Sequence, residues 1–275
     1  NYIKKIFLVS DNDAFNRLYE FLGHEYLNNT LQRMGYDSSQ IIHRLQISLS
    51  EEQNRNTNPI KFYDTSLKVI YEQPLVRSKL VYQPRKTLLG KAYYRDDELI
   101  NGPFDFSMKN RMVLTDLHSI LLIVLFPRSV PKNKRFNLTE EDYSFLQKYM
   151  SMIPRESKFP QYDTSYYDAY VKFLIYGAQR GPLNPDIRIF NKVGDAYGFL
   201  TDAAYIVDLK NNIEFLLSAT IACNSDEIFN DDSYDYETVG YPFMKNLGQV
   251  IYQHELQRQR KHVPDLSSFK FDYTK

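Results

Sequence analysis

The sequence predicts an α+β fold, with a mainly helical lobe beside an antiparallel sheet flanked by helices. Three observations carry this. Before Pro182 most apolar residues recur at helical spacing, with Gly or Pro where each run stops. After Pro185 the period shortens to two over three consecutive runs. One more helical pattern then follows. The expected division is 1–186 for the helical lobe, with a small β excursion near 41–84, and 187–275 for the sheet and C-terminal helix.

In chain order, Tyr2–Val9 reads as an amphipathic helix, since Ile3, Ile6 and Phe7 share a face. Asp11–Leu22 is a second helix, with Phe15, Leu18, Tyr19 and Leu22 inward and Gly23 as its stop. His24–Met34 is a third, stopped by Gly35. Glu51–Pro59 is polar and Asn-rich, which predicts a loop. Leu67–Tyr71 and Leu75–Tyr82 are short β-type runs bounded by Pro74 and Pro84. Arg85–Met112 lacks a clear period and is expected to be irregular.

Val113–Phe126 is helical and ends at Pro127. Thr139–Ile153 opens with Thr139 and Asp142, a variant capping box. Asp163–Tyr176 is expected to be helical, with Tyr167, Tyr170, Val171 and Leu174 inward and Gly177 as stop. Strands are expected at Ile187–Lys192, Tyr197–Leu209 and Ile213–Asn224, the last two joined by a tight Lys210-Asn211-Asn212 turn. An acidic loop, Asp226–Glu237, precedes a final helix at Tyr241–Gln259.

The chain has 275 residues and a formal net charge of +0, so no broad pull toward nucleic acid is expected. Its 23 Tyr and 18 Phe suit an aromatic core, and some Tyr would suit a wet cleft. With one cysteine, Cys223, no internal disulfide can form; in its apolar strand it reads as a small hydrophobe. The longest apolar run, Ile120–Phe126, is far short of the ~20 residues that span a bilayer. The five His show no paired metal spacing, and the acidic loop lacks the EF-hand pattern and its central Gly. No Gly-rich phosphate loop is visible, so no cofactor and no metal are expected.

The chemistry-bearing residues are two short strings. Ser10-Asp11-Asn12 sits between the first two helices, and Lys192-Val193-Gly194 sits on a strand. S-D-N and K-T-G are two of the three signatures of class A β-lactamases and penicillin-binding proteins. The third, S-x-x-K, should come first. Ser129-Val130-Pro131-Lys132 and Ser267-Ser268-Phe269-Lys270 have the letters, but both follow S-D-N, one with Pro inside and one in the tail.

Residues Tyr2–Gly35, Val113–Leu117 and Phe190–Ala204 resemble three stretches of the class A β-lactamase-like serine hydrolases, and the rest of the chain resembles them loosely, with extra loops. The resemblance implies a β-lactamase/transpeptidase-like fold and acyl transfer through a serine ester. Carried over, Ser10 is the proton relay, Asn12 a ligand of the substrate's acyl side chain and Asp11 structural. Lys192 is the cationic anchor, with Val193 and Gly194 lining the same substrate wall and the Asp195 backbone N–H an oxyanion donor. Val193 departs from the pattern by removing the Thr hydroxyl. The deacylating Glu has only a poor counterpart, Asp97 or Glu98, four and three residues before Asn101; a solvated loop is the competing reading.

The first residue is Asn1, not Met, and the expectation is a C-terminal portion of a longer protein whose absent N-terminal part holds the nucleophile. That part would also cover Phe215–Ala222, too apolar for a bare edge. Partners would be a small-molecule or peptide substrate and that N-terminal portion. The resemblance implies a periplasmic or secreted setting. Three readings stay open: a serine acyl hydrolase, a non-catalytic ligand-binding or sensor module in the same cleft, and an interaction protein on this scaffold.

Overall fold

The computed structural model describes residues 1–83 and 85–274, so Pro84, the bound of the expected Leu75–Tyr82 run, lies outside the described residues. The chain opens with three helices: α1 (Tyr2–Val9), α2 (Asn12–Leu22) and α3 (His24–Arg33). Gly23, at a φ of 75°, takes the sharp bend between α2 and α3 and donates its N–H to Tyr19 O. The bounds agree with the apolar periodicity to within a residue or so, because each run ends at a residue that tolerates positive φ.

The stretch read as a loop at Glu51–Pro59 instead starts a short helix, α4 (Glu51–Arg55). Ser50 Oγ accepts from Gln53 N at 3.2 Å and Gln53 Oε1 accepts from Ser50 N at 2.8 Å, a complete capping box that outweighs the polar composition. The β excursion follows, as β1 (Asn56–Thr57), β2 (Ile60–Tyr63), β3 (Val69–Gln73) and β4 (Val76–Arg77). β2 pairs with β3 and β1 with β4, both antiparallel.

Arg85–Met112 is not irregular. It holds β5 (Leu88–Leu89), β6 (Ala92–Arg95), β7 (Glu98–Asn101) and β8 (Phe104–Asp105). Asp96 and Asp97, at φ 51° and 63°, form the two-residue turn of the β6–β7 hairpin. Strands of two to four residues are too short to show a period, which is why the pattern was illegible.

α5 (Leu114–Leu125) and α6 (Glu140–Ser151) fall where expected. Thr139 caps α6 with the box formed by Asp142. The helix expected over Asp163–Tyr176 is absent; the segment is a chain of turns and only α7 (Phe173–Tyr176) is assigned helical. Its bonds are i→i+3, such as Tyr170 N to Tyr167 O at 2.9 Å and Lys172 N to Ala169 O at 2.9 Å. Asp163 Oδ1 takes the Ser165 N–H, and Leu174 is extended while Ile175 has φ 75°, so a continuous ladder cannot form. The Tyr rings that looked like a helix face stack edge-on instead, Tyr162 on Tyr166 and Tyr166 on Tyr170.

The main sheet consists of β9 (Ile187–Ala196), β10 (Phe199–Asp208) and β11 (Ile213–Ala222), antiparallel in the order β11-β10-β9. β9 runs past Lys192 to Ala196, four residues beyond the expected end, because the whole Lys192–Asp195 stretch pairs with Leu200–Ala203. Asp208 Oδ1 accepts the N–H groups of Lys210 and Asn211 and so holds the β10–β11 turn, with Asn212 at φ 50°. β11 pairs only with β10; its outer edge has no partner strand among the described residues. Within the acidic loop, β12 (Ile228–Phe229) pairs with β6, and α8 (Tyr241–Gln257) closes the fold.

The sheet is covered on both faces. Ile189, Val193, Leu200, Ala204 and Ile206 pack toward Met244 of α8 and Phe173–Tyr176. Phe190, Ala203, Tyr205 and Val207 pack toward Leu121 and Leu125 of α5 and toward Leu266 and Phe269 of the tail. A third cluster joins Leu8 and Val9 of α1 to Met152 just after α6. Residues before 187 and residues of the tail therefore share one core with the sheet. Among the described residues no helix is long and apolar enough to cross a membrane.

Candidate active site

The site is built where α1 stops. Leu8 and Val9 bury the end of α1, and Ser10 follows as its C-cap at φ 55° and ψ 42°, with its N–H on Lys5 O. A non-glycine residue in the left-handed region is strained, and such strain gathers at functional positions. Asp11 then caps α2, accepting Ala14 N on Oδ1 at 2.7 Å, and Lys5 Nζ lies 3.6 Å from its other oxygen. Thus the first letter of S-D-N ends one helix and the second starts the next. Asn12 is the first residue of α2; its Nδ2 donates to Gln46 Oε1 at 3.1 Å.

Lys192 approaches from the sheet. Successive strand residues face opposite sides, so Lys192 and Phe190 look toward the helical layer while Asn191 and Val193 look toward α8. Lys192 Nζ donates to Ser10 Oγ at 2.8 Å and to Val193 O at 2.5 Å. Two strings 182 residues apart in the chain thereby meet through one hydrogen bond. Burial disfavours the ammonium and lowers its pKa to about 8, against the opposing pull of Asp195 and Asp202.

Gly194 is exposed, and a Cβ there would meet nothing within 4 Å, so open space lies in front of this stretch of β9. Desolvation raises the pKa of the Asp195 carboxyl, against the pull of the Lys192 ammonium. The Val193 side chain is 6% exposed and sits in the core, so a ligand at this position would meet only its backbone.

At the exposed tip of the β6–β7 hairpin Asp97 lies in the turn and Glu98 opens β7; this is the solvated alternative, not a deacylating arrangement. Ser129, Lys132, Ser267 and Lys270 are all exposed, on 3₁₀ turns away from any helix long enough to align a serine with a lysine. Cys223 is buried and its thiol pKa is raised by that burial.

Sequence reasoning passed over three residues behind Lys192. Lys172 is 1% exposed and donates to Met150 O at 2.5 Å and to Asn191 Oδ1 at 2.7 Å. Asn191 Nδ2 donates to Val171 O and to Asp202 Oδ1, each at 2.8 Å. Asp202 is fully buried and also accepts Leu174 N at 3.0 Å. A signal was present for two of them: Lys172 and Asp202 each stand in a mostly apolar run, Val171-Lys172-Phe173 and Leu200–Val207. Burial lowers the Lys172 pKa to about 7 and raises that of Asp202 to about 6.

Compared with known proteins, residues 1–79 match the β-lactamase enzyme family, a stretch that carries Ser10, Asp11 and Asn12 but stops well short of Lys192. No curated protein and no solved structure matches the chain. The match supports a β-lactamase-like family and, at that level, a hydrolase of the serine β-lactamase kind.

Proposed function

We propose that this β-lactamase-like chain carries the proton-relay half of a serine acyl hydrolase that acts on an amide, peptide or ester through an acyl-enzyme. The observation that carries the reading is the 2.8 Å bond from Lys192 Nζ to Ser10 Oγ, made between a helix end and a sheet edge. In this reading the nucleophilic serine comes from residues outside these 275. The two walls of the cleft are the helical part, 1–186, and the sheet part, 187–275.

The steps follow from donor and acceptor roles. Lys192 donates to Ser10 Oγ, which leaves the Ser10 hydroxyl proton free to pass to the leaving nitrogen or oxygen as its bond to the acyl carbon breaks. Ser10 is restored by a proton from Lys192, whose pKa of about 8 makes that transfer easy near neutrality. Asn12 offers an amide to the acyl side chain, provided it lets go of Gln46. In this reading the Asp195 backbone N–H serves the oxyanion.

The test is acylation of the intact protein by a fluorophosphonate or a penicillin, followed by mass spectrometry. A covalent adduct is expected, formed ~10²-fold more slowly in Ser10→Ala. A folded protein that never takes up an adduct would end this reading. It would favour a non-catalytic ligand-binding module, for which the absence of a hydroxyl at Val193 is the supporting feature.

A further inference from the structure

We propose that Lys172, acting through Asn191 and with Asp202 as its counter-charge, is the positioning residue that sets Lys192 against Ser10. The inference rests on the reading of Lys192 and Ser10 given above, and the geometry behind it is independent of any turnover. Lys172 belongs to neither S-D-N nor K-V-G and touches neither Ser10 nor any open face of the cleft. Its ammonium instead ties the two walls together.

On one side lies Met150 O, in the last turn of α6. The carbonyls there have no partner within the helix, and the negative end of the helix dipole favours a cation. α6 packs against α1, and Met152, two residues past Met150, shares a buried cluster with Leu8 and Val9, the two residues before Ser10. On the other side lies Asn191, the residue before Lys192 on β9. One buried Nζ therefore spans the gap between the helix that backs Ser10 and the strand that presents Lys192.

Asn191 has no freedom to give. Its oxygen accepts from Lys172, and its nitrogen donates to Val171 O and Asp202 Oδ1. Asp202, opposite Val193 on β10, fixes the same stretch of β9 from the neighbouring strand. Its other oxygen holds Leu174 N, which locks the turn that delivers Lys172. Each member is paired, so the network is rigid rather than frustrated.

The charged groups acting on Lys172 are Asp202, Arg188, Glu156 and Lys192. Arg188 and Glu156 neutralise each other in a two-bond pair at 3.0 and 2.9 Å, and with Lys172 they help line a cavity of about 160 Å³. Those acting on Lys192 are Asp195 from its own strand and Asp202 from β10. Asp202 is thus shared by both lysines. With Asp195, the larger of the two, it opposes the desolvation of the Lys192 ammonium.

The test reads Lys192 directly. In the intact protein, trace labelling with acetic anhydride across a pH series, with peptide mass mapping, gives the titration midpoint of the Lys192 amine without needing any substrate. Lys172→Met strands Asp202 and can fail to fold. The paired variant Lys172→Met with Asp202→Asn removes both charges together. Asp202→Asn alone removes an opposing charge and lowers the midpoint by itself, so it serves as the reference. If Lys172 positions Lys192, the amine freed in the folded double variant regains water and its midpoint lies ~1 unit above that reference. Acylation, where the wild type shows it, slows in the double variant beyond its loss in Asp202→Asn. A purely structural role would lower the melting temperature of the double variant and leave its Lys192 midpoint at that of Asp202→Asn; that result overturns the proposal.

Should neither variant fold, carbon-13 NMR of the wild-type carboxyls decides. Asp202 is expected to be ionised above about pH 6. A carboxyl still protonated at pH ~8 has no charge to share and overturns the proposal too. Absence of any acyl adduct would remove the enzyme reading but would not move these midpoints, so the two failures are distinguishable.

Discussion

The molecule buries cations in two regions, and it does so differently. In the helical part Arg44 is 6% exposed, with Nε donating to Glu20 Oε1 at 2.8 Å and Nη2 to Asn56 O at 2.8 Å. Glu20 is itself held by Asn58 Nδ2, 3.2 Å from each carboxylate oxygen. Against the sheet, Lys172 and Lys192 have no carboxylate within ion-pair distance among the described residues; they donate to carbonyls, an amide and a hydroxyl. A guanidinium in a direct pair stays charged and only holds structure. A lysine that is desolvated and paired with neutral acceptors becomes titratable near neutrality, which is what proton transfer needs.

The largest effect that would break this comparison is at Arg44. Arg44→Met leaves Glu20 buried without its partner and is expected to cost ~3–5 kcal/mol in urea unfolding. A loss under about 1 kcal/mol would mean the pair is no better anchored than a surface bridge.

The pH dependence of stability sharpens the contrast next. Lys172 has a folded pKa of about 7 and Lys192 one of about 8, both below the ordinary 10.5. From there up to 10.5 the unfolded chain holds more protons than the folded one, so stability rises with pH. Between pH ~7 and ~8.5 a gain of about 1–2 kcal/mol is expected from Lys172 alone. Asp202 has the opposite sign: with a folded pKa of about 6 against 3.8, it makes stability fall as pH rises between those values. A flat urea midpoint from pH 7 to 9 would show that the lysines are not depressed.

Smaller effects separate scaffold from chemistry within S-D-N itself. Asp11→Ala removes the α2 cap and is expected to cost ~1 kcal/mol while leaving the Lys192 titration midpoint in place. Ser10→Ala loses one hydrogen bond, about 0.5–1.5 kcal/mol, whereas Ser10→Gly loses the same bond but relieves the left-handed backbone. The glycine variant is expected to be the more stable of the two by a few tenths to 1 kcal/mol in thermal melts. Equal melting temperatures would mean the Ser10 φ stores no strain.

Much of this was legible from local signals. Gly23, Pro127, the Thr139–Asp142 box and the period-two runs of β9 to β11 each act over a few residues, so they can be read off the string. Two of the misreadings have different causes. At Asp163–Tyr176 the apolar spacing was helical, but each Tyr ring answers to partners in three dimensions and the ladder yields to turns. At Leu88–Asp105 the strands are too short to show a period. Lys172 stands out as a polar residue in an apolar run, but nothing in Val171-Lys172-Phe173 tells that its ammonium ends on Met150 and Asn191.

The string of residues alone decided which short motifs exist, where α1 and α2 break around Ser10, and which strand carries Lys192, since caps and periodicity are properties of neighbours in the chain. Only the packed molecule decided that the Ser10 hydroxyl and the Lys192 amine meet, that Val193 turns into the core, and that Lys172 stands behind both. The reason is that desolvation and long-range hydrogen bonds depend on what folds over a residue, and that is absent from its immediate sequence.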